Sequence, residues 1–128
     1  MKRASAIVVA ILVTVLMGSA AINPPKKGYR NLKVLPVNIS SGDLSKIMVD
    51  DFSDGLGVGC GFCHAPGADS TRLDYASDLK PEKEMARRMM RMTIRVNKQF
   101  FRIKHPGFTD GTMVVVCGTC HNGRPHPE

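Results

Sequence analysis

The four cysteines of this 128-residue chain fall in two five-residue runs, Cys60-Gly61-Phe62-Cys63-His64 and Cys117-Gly118-Thr119-Cys120-His121. Two thiols one helical turn apart can bond covalently to the two vinyl groups on one edge of a haem macrocycle. The histidine that follows can then place its imidazole under the iron, and this spacing is the attachment sequence of c-type haem. Two such runs that use every cysteine present predict two covalently bound haem c groups, anchored by Cys60, Cys63, Cys117 and Cys120, with His64 and His121 as axial ligands. Three blander uses of the same residues fare worse. A disulfide within each pair gives no reason for a histidine directly after both. A four-cysteine zinc site would have to span the 53 residues between the pairs, against about 15–20 in zinc ribbons. A thioredoxin-like redox pair belongs in a strand–helix context, which two copies in so short a chain do not fit.

A histidine on one face of the iron leaves the other face open, and what fills it separates an electron carrier from a peroxidase or a gas sensor. The chain has eight methionines. Met48 stands on the inward stripe of a first predicted helix, ahead of Cys60, placed to reach back over the haem attached just after that helix. Met85, Met89 and Met92 share one face of a second helix, and any of them could ligate the other iron. At helical spacing the same methionines would otherwise be ordinary core filling. His105 is the polar side chain that an open, enzyme-like iron site would need, and it reads instead as structural or surface, as does His126.

The elements that must position these residues are mostly α-helical. Ser40 and Asp43 have capping-box spacing at the start of a first helix whose apolar stripe is Leu44, Ile47, Met48, Phe52 and Leu56, stopped by Gly55, Gly57 and Gly59. After the first motif, residues 65–71 form a loop. Pro81 sits at the first turn of a second helix, which runs to about Arg102. Its predicted apolar face is Met85, Met89, Met92, Val96 and Phe100, with Met90 and Ile94 at the flank. Its predicted opposite face is Arg87, Arg91, Arg95, Lys98 and Arg102, with Glu84 supporting Arg88 four residues on. The chain then turns at His105-Pro106-Gly107 and Asp110-Gly111 and passes through Val114-Val115-Val116 into the second motif. The fold class this implies is a small multihaem cytochrome c domain, two helix-plus-motif halves packed around two haems. With no Trp and 5% aromatic residues, a small core needs some other large flat body to fill it.

Met1-Lys2-Arg3, the apolar run from Ala6 to Met17 and the small residues Gly18-Ser19-Ala20-Ala21 make residues 1–21 an export signal or a membrane anchor. Residues 22–36 read as an extended, proline-rich and basic tether, with Leu32, Val34 and Leu35 packing on the edge of a dihaem domain at 37–128. Export places the chain in the periplasm or on the extracytoplasmic face of the membrane. There a net charge of +7 suggests acidic redox partner proteins or lipid head groups rather than nucleic acid. The residues describe an electron carrier; the alternatives are a peroxidase-like haem enzyme with one open iron and a haem-carrying subunit of a larger membrane redox complex.

Several linked stretches resemble the cytochrome c subunit of the photosynthetic reaction centre. They are Asn31 to Pro36, Leu44 with Ile47-Met48, Leu56 to Cys60 into Cys63-His64, Ala76-Ser77-Asp78 with Lys80 to Lys83, Ala86 to Met89 with Met92-Thr93 and Asn97, and the second motif. That subunit carries four haems in two dihaem halves, and this chain is similar to one half standing alone, a form also found in bacteria that do not photosynthesise. The resemblance implies Met48 as the sixth ligand of the first haem and, through Ala-Arg-x-Met, Met89 rather than Met92 for the second. Two departures stand out. Asn122 follows the second histidine where the family usually has Arg, so that a basic contact is missing or moved to Arg124, and His105 lies at a shifted spacing from the family's loop histidine.

Overall fold

The computed structural model describes residues 28–127. The predicted signal or anchor at 1–21 and the first part of the tether lie outside the described residues. Helix α1 (Ser41–Lys46) begins where the sequence places it: the Ser40 hydroxyl accepts the Asp43 backbone N–H at 3.0 Å and donates to the Asp43 carboxylate at 2.7 Å. The helix then widens without a break into π geometry over Ile47–Asp54, closed by the Gly55 N–H donating to Asp50 O. A tight turn at Cys60–Phe62 carries the first motif, and β1 (Ala65–Pro66) pairs antiparallel with β2 (Leu73–Asp74), Ala65 opposite Asp74. Helix α2 (Pro81–Phe100) starts on its proline, and α3 (Cys117–His121) is the second motif itself. No helix among the described residues is long and apolar enough to cross a membrane.

The apolar core is small. Leu35, Ile47 and Met90 form its buried centre, with Leu32, Val34, Ile39, Leu44, Met48, Phe52 and Phe108 packed partly against it. Leu44, Ile47, Met48 and Phe52 of the stripe predicted for α1 therefore face inward, and the segment before α1 supplies Leu35 to the centre.

Helix α2 departs from its prediction. Its buried residues are Lys83, Arg87, Met90, Thr93 and Asn97, whereas Met85 and Met92 are exposed at 52% and 46% and Phe100 at 70%. Arg87, expected on a solvated face, is buried because it has partners far away in sequence. Its guanidinium pairs with Asp78 at 2.8 Å and Glu84 at 3.1 Å and donates to Asn31 O at 3.1 Å. Lys83 likewise donates to Tyr75 O and Ser77 O, both at 2.7 Å. Glu84 reaches Arg87 and Arg91 rather than Arg88.

At 100° per residue α2 thus carries three faces. One faces the core, one holds Met85, Met89, Met92, Val96 and Phe100, and one holds the exposed Arg88, Arg91, Arg95 and Lys98.

Asp78 ties three segments together. It takes a salt bridge from Lys33 at 2.7 Å, a hydrogen bond from the Asn31 amide at 2.8 Å and the Arg87 pair. Hydrogen bonds from Lys33 and Asn31 hold its carboxyl far below the usual carboxylate range, so it remains ionised and the segment at 31–35 stays fastened to α2.

Candidate haem-binding site

The first motif hangs between the π end of α1 and the start of α2. Gly59 leads into the turn at Cys60–Phe62, the His64 N–H closes back on Cys60 O at 3.0 Å, and the Lys80 ammonium donates to Gly61 O at 2.6 Å. This arrangement opens Cys60, Cys63 and His64 onto a cavity of about 770 Å³ whose wall also includes Met48, Phe52, Leu35, Tyr75, Ala86 and Met90. The cavity falls within the range of about 300–1,000 Å³ typical of ligand and cofactor sites. The Met48 thioether and the His64 imidazole, predicted from sequence as a ligand pair, border the same space.

The polar groups at this cavity are arranged unusually for an empty protein interior. The His64 Nδ1 is buried and makes no hydrogen bond of ordinary geometry, though the Tyr75 backbone lies close enough to favour its protonated form. Burial, and after it the nearby charge of Lys83, lowers the His64 pKa, which keeps the imidazole neutral with a lone pair to donate. Its ring stands edge-on to Tyr75, 5.0 Å between centroids. Burial also raises the Cys63 thiol.

The second motif forms α3. Val116 O accepts the Thr119 N–H at 3.1 Å, and the Thr119 hydroxyl accepts the Val116 N–H at 3.0 Å. Burial pushes the Cys117 thiol up to about 11. His121 Nδ1 donates to Arg124 O at 2.9 Å, the second-tier contact that fixes the tautomer of a metal-binding histidine and leaves Nε2 free to ligate. The departure from the family's usual Arg at position 122 has a local reason. Asn122 ends α3 in the left-handed conformation, φ 47°, which asparagine adopts more readily than most residues. Arg124 meets His121 through its backbone carbonyl.

The structure therefore gathers Met48, Cys60, Cys63 and His64 around one cavity. It does not gather the second set in the same way. Cys117, Cys120, His121 and Met89 line neither of the two principal cavities among the described residues, and Met89 lies half-buried on the methionine face of α2. His105 and His126 are exposed and line neither cavity.

One supporting residue acquires its role only in the structure. Asn97, fully buried, accepts the Val114 and Val115 N–H groups at 2.8 and 3.0 Å and donates to Val115 O at 2.7 Å and Thr93 O at 3.0 Å. It thereby pins to α2 the segment that leads into Cys117. A polar residue on the same α2 face as Met90 and Thr93 is the signal that could have marked it.

All four cysteines are unbridged, and no group of three His, Cys, Asp or Glu among the described residues is placed to hold a metal ion. Unbridged thiols in pairs, each pair followed directly by a histidine, suit a protein that uses its thiols once, to anchor a flat apolar ligand, as c-type cytochromes do with haem. The cavity, with Cys60, Cys63, His64 and Met48 on its wall, fits that group.

Comparison with known proteins gives the same class. Residues 11–128 match the family described as photosynthetic reaction centre cytochrome C subunit, and the chain belongs to that family. It is 35% identical over 96 residues, 75% of its length, to cytochrome c-554 of Chloroflexus aurantiacus. It is 37% identical over 70 residues, 55% of its length, to the photosynthetic reaction center cytochrome c subunit of Rubrivivax gelatinosus. The matched segments make up 21% and 16% of those two relatives. No solved structure matches.

Proposed function

We propose that the chain is a dihaem c-type cytochrome that relays electrons on the extracytoplasmic side of a membrane. The observation that carries this reading is the cavity of about 770 Å³ bordered by a complete covalent attachment motif and by the Met48 thioether. Haem c, when bound, supplies a one-electron iron couple, and methionine opposite histidine raises its potential. The residues of the chain do the rest. Cys60 and Cys63 would anchor the first group, His64 and Met48 would be its iron ligands, and Leu35, Phe52 and Met90 line the same cavity and would exclude water from it. Cys117, Cys120 and His121 do the same for the second group. Met89 is its proposed sixth ligand, on a face of α2 that the polypeptide alone leaves largely uncovered and a second macrocycle would cover.

Intact mass and haem quantitation on protein from a host able to mature c-type cytochromes test this reading. Two covalent haems per chain are expected, and an unmodified polypeptide would refute it. The basic face of α2 is proposed as the surface for an acidic redox partner. Arg88, Arg91, Arg95 and Lys98 span about 15 Å of helix, and among them Arg91 alone has an ion-pair partner among the described residues. Electron-transfer rates with such a partner are expected to fall as salt rises from low ionic strength; a salt-independent rate would remove this face from the docking surface. The N-terminal apolar run is proposed to direct export and, if retained, to hold the domain at the membrane.

A further inference from the structure

The two attachment motifs are joined to each other by bare backbone. Gly55, at the end of the π segment, accepts the Gly123 N–H at 3.0 Å through its carbonyl. A Cβ on Gly55 would lie 3.3 Å from Gly118 N and 3.5 Å from Cys117 Cβ. A Cβ on Gly57 would lie 2.2 Å from Gly123 O, and Gly57 and Gly123 hold φ of +65° and +75°. Gly57 precedes Cys60 by three residues, Gly118 lies inside the second motif, and Gly123 follows His121 by two. The junction is therefore only a few residues from all four cysteines, and Cys117 Cβ is the one side-chain atom among its nearest contacts.

We infer that this glycine crossing sets the separation and mutual orientation of the two haem attachment segments, and through them the interaction between the two irons. The inference rests on the dihaem reading above. Side-chain packing yields by changing rotamer, whereas backbone against backbone has no such freedom, so relief of a clash here must move one motif relative to the other. The tethers are short and stiff. Val58 N–H closes on Ser53 O at 3.2 Å on one side, and Asn122 N–H on Gly118 O at 2.9 Å on the other. Gly55 and Gly57, set against the backbone of Gly118 and Gly123, are accordingly positioning residues for electron exchange between the centres.

The test uses the full-length, haem-loaded protein with Gly57→Ala, the milder Gly55→Ala, and Gly42→Ala as a control, because a Cβ on Gly42 meets only Ser40 Oγ, at an ordinary 3.8 Å, and Gly42 lines neither cavity. Restoring an ordinary contact of 3.4 Å from 2.2 Å opens the crossing by 1.2 Å. For centres about 13 Å apart, roughly one radius of gyration for a chain of this length, the inverse-cube magnetic dipolar interaction then falls by about a quarter. Electron paramagnetic resonance of the fully oxidised protein reads that interaction, and a redox titration reads the spacing of the two midpoint potentials.

Gly57→Ala should weaken the interaction by about that amount, Gly55→Ala should weaken it less, and Gly42→Ala should match the parent, with axial-ligand absorption unchanged throughout. A Gly57→Ala protein with two haems and an unmoved interaction overturns the inference while leaving the dihaem reading intact, even if it melts earlier. If Gly57→Ala yields no folded protein, Gly55→Ala decides by the same criterion. Fewer than two haems in the parent overturns both.

Discussion

Asn97→Ala is expected to cost about 3 kcal/mol of folding stability, because an unsatisfied buried backbone group costs roughly 1–3 kcal/mol. The amide holds the Val114 and Val115 N–H groups and Val115 O against α2, and alanine leaves all three without partners. Water reaches part of the segment, since Val114 is 60% exposed, which keeps the figure at the lower end of the sum. Few single substitutions reach this size, and those that do break buried polar networks or open cavities. Equilibrium urea unfolding should show a lower midpoint with the slope unchanged. A loss under about 0.5 kcal/mol, the scatter of ordinary surface substitutions, would show that the contact carries no weight. The segment it pins leads straight into Cys117, so absorption changes should be confined to the second haem.

Met48→Ala is expected to make about half of the ferrous haem reactive toward carbon monoxide and to lower the potential of that half, since loss of a methionine ligand opens one iron face. Met90→Ala provides the contrast. Met90 borders the same cavity and is buried at 5% exposure, so its removal should cost about 2–5 kcal/mol in stability without creating a carbon monoxide site. Carbon monoxide difference spectra with haem counting distinguish the two. Parent protein that already binds one equivalent per haem would refute methionine ligation at both irons.

What the sequence made legible was local in character. The motifs, the Ser40 cap, the Pro81 start and the inward stripe of α1 depend on residues a few positions apart, where spacing alone states the geometry. The burial of Lys83 and Arg87 was not legible, because it depends on Asp78, Asn31 and the carbonyls of Tyr75 and Ser77. Periodicity treats every cation as a solvent-facing residue, and this assigned the methionines of α2 to the buried face that the cations and Asn97 occupy. The widening of α1 at Ile47–Asp54 also left no mark in the apolar spacing, since steps of three and four describe α geometry and a π turn adds one residue. The small pairing of β1 with β2 lay in a stretch read in part as loop, for two-residue strands are too short to show alternation.

The division of α2 into three faces has a consequence for how this element can change. Each side of the helix is committed: one to the core and the cavity, one to the proposed second cofactor, one to the proposed partner. Inserting or deleting a single residue would rotate everything beyond it by about 100°, carrying each of the three faces into its neighbour's place at once. The length of α2 should therefore drift far less among descendants of this chain than the identity of any one residue on it, and new variants would arise by substitution within a face.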